Sequence, residues 1–132
     1  MDTAQPQKTT TASDHTIYSV EQAIRHITQL RPEAEQRLYV ITDEVLFNRW
    51  DAFCLSFNQE YRDEYLPYLP HVFDLLKSTT DGQDIFDYLL FIEETVIGTL
   101  PGDTLSSRRA ANTVDILLKH RDTILKADQE LF

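Results

Sequence analysis

The sequence predicts an all-α fold, a single domain built as a bundle of about five or six helices behind a flexible N-terminal tail. Three observations carry this. Apolar residues recur at steps of three and four over most of the chain, the spacing that places them on one helix face. Helix starts and stops punctuate that pattern. Only one short run, the Leu-Tyr-Val-Ile of 38–41, looks strand-like. With no second such run to pair with, a strand there would leave its backbone groups unsatisfied.

Residues 1–16 are mostly threonine, glutamine, serine and alanine without an apolar period. They are expected to form the tail, leaving 17–132 as the helical domain. A first helix starts at Ser19, which with Gln22 matches the capping box, a hydroxyl and an amide each satisfying an orphan backbone N–H. Val20, Ala23, Ile24, Ile27 and Leu30 then share a face. Pro32 ends this helix and opens the next, with Glu33 and Glu35 favourable near its positive end.

Thr42, followed by Asp43 and Glu44, reads as a fresh helix start. Leu46, Trp50, Phe53, Phe57 and Tyr61 follow at steps of four, three, four and four, the clearest pattern in the chain. They predict one helix with a long aromatic stripe, which as core explains itself and as an exposed face would be a ligand pocket, a partner groove or an oligomer contact. Pro67 and Pro70 interrupt the chain, and Pro70 starts a short helix carrying Val72, Phe73, Leu75 and Leu76.

A loop is expected over 78–82, with Asp81 or Asp84 capping the following helix. Ile85, Leu89, Ile92 and Val96 make one stripe, and Phe86, Leu90 and Ile97 a second beside it. A helix so broadly apolar is expected to be central. Gly98, Pro101 and Gly102 end it. Asp103 or Thr104 caps a last helix that carries Ala110, Val114, Leu117, Leu118 and Ile124 and runs towards Leu131.

Charge narrows the function classes. The net charge is −10, and the segment 50–103 holds eleven acids against two bases, Arg62 and Lys77, so nearly all of the surplus lies there. Such a chain is not expected to bind nucleic acid or anionic lipid directly, because both rely on lysine and arginine meeting phosphates. Cys54 is the single cysteine, which excludes an internal disulfide and fits a reducing compartment. No apolar run of membrane-spanning length and no secretory signal pattern is visible, so a cytoplasmic location is expected.

No catalytic motif stands out. The three glycines, 82, 98 and 102, are too dispersed for a phosphate-binding loop. There is no Gly-x-Ser-x-Gly, Cys-x-x-Cys or His-Glu-x-x-His, and none of His15, His26, His71 and His120 follows a glutamate by three positions, as a di-iron bundle requires. Cys54 beside the aromatic stripe reads as a buried, inert thiol. His120-Arg121-Asp122 copies a kinase tripeptide by chance and reads as surface charge.

What remains is an acidic surface. Tyr61, Tyr65 and Tyr68 with Glu60, Asp63 and Glu64 make a mixed apolar and acidic stretch, joined in the acidic segment by Asp84 and Asp87. Tyrosine is enriched at protein interfaces because it offers area with a polar tip. The expected function is a non-enzymatic module, without cofactor, that covers a basic protein partner, as inhibitors, immunity proteins and antitoxins do. Two alternatives stand beside it. One is a carboxylate–histidine metal or catalytic site drawn from Glu60, Glu64, His71, Glu93 and Glu94. The other is a structural subunit of a homo-oligomer.

Overall fold

A computed structural model describes residues 15–130. Among them are six helices and no strand: α1 (Val20–Thr28), α2 (Glu33–Val45), a 3₁₀ helix (Gln59–Tyr65), α3 (Leu69–Ser78), α4 (Gln83–Ile92) and α5 (Thr104–Glu130). α2 and α4 each run on into a wide π turn, Leu46–Trp50 and Glu93–Ile97. Each π turn stops at a left-handed residue, Asp51 and Gly98 respectively. The expected tail lies outside the described residues except for His15 and Thr16. The His15 ring stacks on Phe91 with centroids 4.4 Å apart, and the Tyr88 hydroxyl donates to the Thr16 carbonyl. Leu131 likewise lies outside the described residues.

The long α5 is the spine against which α2, α3 and α4 pack. Leu38, Phe47, Trp50, Phe73, Leu76, Ile85, Leu89, Ile92 and Leu117 are buried in one core. Transfer of apolar surface from water supplies its driving force, about 1.5–3 kcal/mol for each fully buried large side chain. α4 has the expected central position through Ile92, beyond which Val96 and Ile97 emerge into solvent. The capping box of α1 is formed: the Gln22 backbone N–H donates to Ser19 Oγ (3.1 Å) and the Ser19 N–H to Gln22 Oε1 (3.2 Å). Only Ala23 of the α1 face is fully buried, whereas Val20, Ile24 and Leu30 remain exposed.

Three local expectations are corrected. Thr42 does not start a helix: it lies inside α2, and its buried hydroxyl donates to the Leu38 carbonyl (2.7 Å), bonding back one turn instead of capping forward. The run 38–41 is thus a helical turn. The helix expected across 42–61 ends at Trp50. Arg121 is not a surface charge, because its guanidinium donates from one nitrogen to the Leu76 and Thr79 carbonyls (2.9 and 2.5 Å), closing the exposed-carbonyl end of α3 from the flank of α5.

Gly82 forms the turn into α4, with φ of +84°, and its N–H donates to Thr79 Oγ1 (3.0 Å). A Cβ there would strike Val114 on α5 and press on Leu118. Gly82→Ala therefore combines a left-handed backbone penalty of about 1–2 kcal/mol with a displaced α4–α5 contact. A loss of about 2 kcal/mol or more in unfolding free energy is expected by chemical denaturation. An unchanged midpoint would show that the turn yields without resistance.

Candidate functional site

The site begins where α2 stops. Asp51 adopts φ 38° and ψ 47°, turning the chain out of the helix. Its carboxylate holds the new direction: Oδ1 accepts from the Leu55 N–H and the Tyr65 hydroxyl (both 2.7 Å), and Oδ2 accepts from the Ser56 N–H (3.1 Å). The Tyr65 oxygen in turn accepts from the Phe53 N–H (2.9 Å). Burial pushes the Asp51 carboxyl up, but the hydrogen bonds from Ser56, Tyr65 and Leu55 outweigh it and hold it below the ordinary range.

This turn splits the aromatic stripe. Leu46 and Trp50 stay in the core, Phe53 is half-buried, and Phe57 is carried out to 77% exposure. Its ring sits 5.6 Å from that of Tyr61, which is itself exposed. Cys54, expected to be buried, lies exposed in the same loop with φ 58°, and its thiol has no hydrogen-bond partner among the described residues.

The 3₁₀ helix follows, its first turn capped by Asn58 Oδ1, which accepts from the Glu60 N–H (2.9 Å). Three residues per turn sort its side chains. Glu60, Tyr61, Asp63 and Glu64 face solvent and Tyr65 faces the core. Arg62 folds back to donate to Asp43 (3.0 Å) and lies over the Phe47 ring at 5.1 Å. Glu60, Asp63 and Glu64 therefore form an acidic ledge beside the Phe57–Tyr61 pair. None of the three is in an ion pair among the described residues.

Two tyrosines expected on that surface belong to the interior. Tyr65 is 1% and Tyr68 6% exposed. Burial raises both phenols, reinforced by the Asp51 hydrogen bond for Tyr65 and by the Glu64 charge for Tyr68. Their rings pack on Phe53, Tyr68 edge-on at 5.9 Å. Asp84 and Asp87 sit on α4, whose packing partners include α3 and α5, and Asp87 accepts from Gln83 Nε2 (2.8 Å).

The alternative carboxylate–histidine set is not brought together. Glu93 is wholly buried, with Oε2 accepting from Trp50 Nε1 (2.9 Å) and Arg109 Nε (3.2 Å), and Oε1 from Ser106 Oγ (2.6 Å) and a second Arg109 nitrogen (2.7 Å). Glu60 and Glu64 are exposed on the 3₁₀ helix, and the His71 ring packs on Tyr88 at 4.5 Å. Among the described residues no group of three histidine, cysteine or carboxylate side chains is arranged to hold a metal ion. Nor is any helix among them long and apolar enough to cross a membrane.

One feature escaped the sequence pattern. A groove of about 490 Å³ runs between α1, α2 and the end of the 3₁₀ helix. Ile27, Leu30, Val40, Leu66 and Leu69 line it, and Asp43 and Asp63 stand at its polar edge. Asp43 is pushed up by burial and pulled down by Arg62, with the Asp63 and Glu44 charges raising it further. Val40 was the available signal, an apolar residue on the outward side of α2 next to the buried Leu38 and Tyr39.

No protein-family model, curated protein or solved structure matches this chain.

Proposed function

We propose that the protein is a non-enzymatic binding module whose acidic 3₁₀ ledge engages a basic protein partner. One observation carries this reading: Glu60, Asp63 and Glu64 stand exposed and without an ion pair among the described residues, beside an exposed aromatic pair, while Arg62, the one base of the 3₁₀ helix, is paired with Asp43. Carboxylates left unpaired on one surface raise the local negative potential and steer a cationic partner into register. Phe57 and Tyr61 add apolar area and ring faces over which arginine or lysine can sit. Of the carboxylates weighed for a metal or catalytic site, Glu93 has both oxygens engaged by structural donors, which favours binding over chemistry.

The test is capture from the native host's lysate by the full chain and by its Asp63→Lys/Glu64→Lys variant. Both positions are exposed, so folding is expected to be preserved. A basic protein should be retained by the wild type, released as salt shortens the screening length to well below about 8 Å, and weakened roughly tenfold or more by the double reversal. Equal retention by the variant would remove the ledge from the interface.

A further inference from the structure

The face on which α2 meets α5 carries a pocket that shares no residue with the acidic ledge. We infer that this pocket binds a free aliphatic α-amino acid, with its ammonium on Glu44, its carboxylate on Arg49 and its side chain against Ile41, Val45 and Ile116.

Local spacing explains why the two charges are available. Along the helices of this chain, acids pair with bases four residues on: Glu21 with Arg25, Glu33 with Arg37 and Asp115 with Lys119. Glu44 has Asn48 at that step, and its base comes one residue later, at Arg49 in the π turn. Arg49 in turn has the apolar Val45 four residues before it. Both side chains line the pocket, yet they do not pair with each other or with any other charged group among the described residues. One cation and one anion held apart over a shared recess complement a ligand that carries both charges. A simple anion would meet Glu44 as well as Arg49, and a simple amine Arg49 as well as Glu44, so neither is matched by the whole rim.

Size and floor narrow the class further. The pocket's volume is about 180 Å³, the share of about six waters at about 30 Å³ each. That suits a molecule the size of valine or leucine and is too small for a nucleotide. The floor is apolar: Val45 is buried, and Ile41 and Ile116 are half-buried. An aliphatic side chain laid there removes apolar surface from water on both partners. Asn48 and His120, one turn beyond Glu44 and Ile116 respectively, complete the rim. The Asn48 amide both donates and accepts, and a ring N–H of His120 is a further donor for a carboxylate.

The test is an NMR titration of the isotope-labelled full chain with leucine and with leucinamide, isocaproate and glycine, which lack the carboxylate, the amine and the side chain in turn. The rim is exposed, so its charges act through water, and leucine should bind with a Kd on the order of 1 mM. Its shifts should centre on residues 41–49 and 116–120, and each analogue should bind about fivefold or more weakly. Arg49→Gln should weaken leucine about fivefold without weakening leucinamide, and Glu44→Gln should weaken leucine equally without weakening isocaproate. Absence of shifts with leucine up to about 20 mM, shifts centred elsewhere, or analogues or variants that bind as well as leucine and the wild type overturn the assignment. Neither substituted residue belongs to the ledge, so a failure here leaves the basic-partner proposal standing.

Discussion

Replacing Glu93 with alanine is expected to lower the unfolding free energy by about 3 kcal/mol or more, within the range of about 3–5 kcal/mol for breaking a buried charge pair. The carboxylate is 0% exposed and receives four donor contacts from three residues. Alanine leaves the Trp50 indole N–H and the Ser106 hydroxyl without their acceptor at sites 1% and 2% exposed. Each orphaned group costs about 1–3 kcal/mol. Arg109 contributes less to the loss, because its side chain is 34% exposed and turns to water when released. Glu93→Gln keeps one acceptor oxygen and should fall between wild type and alanine. Urea denaturation followed by Trp50 fluorescence reads the effect. A loss below about 1 kcal/mol, the worth of a single ordinary hydrogen bond, would mean that the network is replaceable by water.

The same network explains why a helix as apolar as α4 continues into a π turn bearing a glutamate. The turn sets Glu93 against Trp50 at the end of α2 and Ser106 and Arg109 in the first turns of α5. Three elements are thereby tied at one point of the core. Their register follows from satisfied polar groups as well as from apolar packing.

Asp51→Ala should be the second severe change, at about 2–3 kcal/mol. It removes the acceptor for two backbone N–H groups and for the buried Tyr65 hydroxyl, and it leaves a Cβ-bearing residue at positive φ without the local bonds that favour aspartate there. Asp51→Gly should recover part of the loss, because glycine accepts the left-handed backbone freely. The difference between the two variants separates backbone strain from lost hydrogen bonds.

Asp51 also predicts an acid-sensitive step. A carboxyl held below its ordinary value in the folded chain binds its proton less readily there than in the unfolded chain, where it titrates near about 3.9. Its stabilisation is present in full above that unfolded value. It is lost as pH falls through the lowered folded value. In Asp51→Asn the acid limb of stability against pH should be shallower by this one group. An identical limb would assign the acid response to other carboxylates.

Much of the architecture was legible in local residue order. The Ser19/Gln22 box, the proline starting α3, the paired apolar stripes of α4 and the Asp103 start of α5, where Asp103 Oδ2 accepts from the Ser106 N–H (2.8 Å), all act within a few residues. Periodicity and capping report such short-range interactions directly. The acidic ledge was half legible: Glu60, Tyr61, Asp63 and Glu64 are exposed, whereas Tyr65 and Tyr68 turn inward. Their inward direction depends on Phe53 and on Asp51, fourteen residues before Tyr65.

By itself, then, the sequence determined an all-helical chain with its acid surplus in one segment and with the main starts of its helices in place. Tertiary structure alone decided three things. It ended the long aromatic helix at Asp51, because the side chain of Tyr65 and the N–H groups of Leu55 and Ser56 offer that carboxylate partners which a continuing helix would not. It buried Glu93, because Trp50, Ser106 and Arg109 meet there only after α2, α4 and α5 have packed. It opened the groove beside Leu30 and Val40, because the packing of α1 on α3 buries Ala23 and half-buries Ile27 while Val20, Ile24 and Leu30 stay exposed. Hydrophobic period states which residues can share a face; which faces find a cover is settled by the packing of elements distant in sequence.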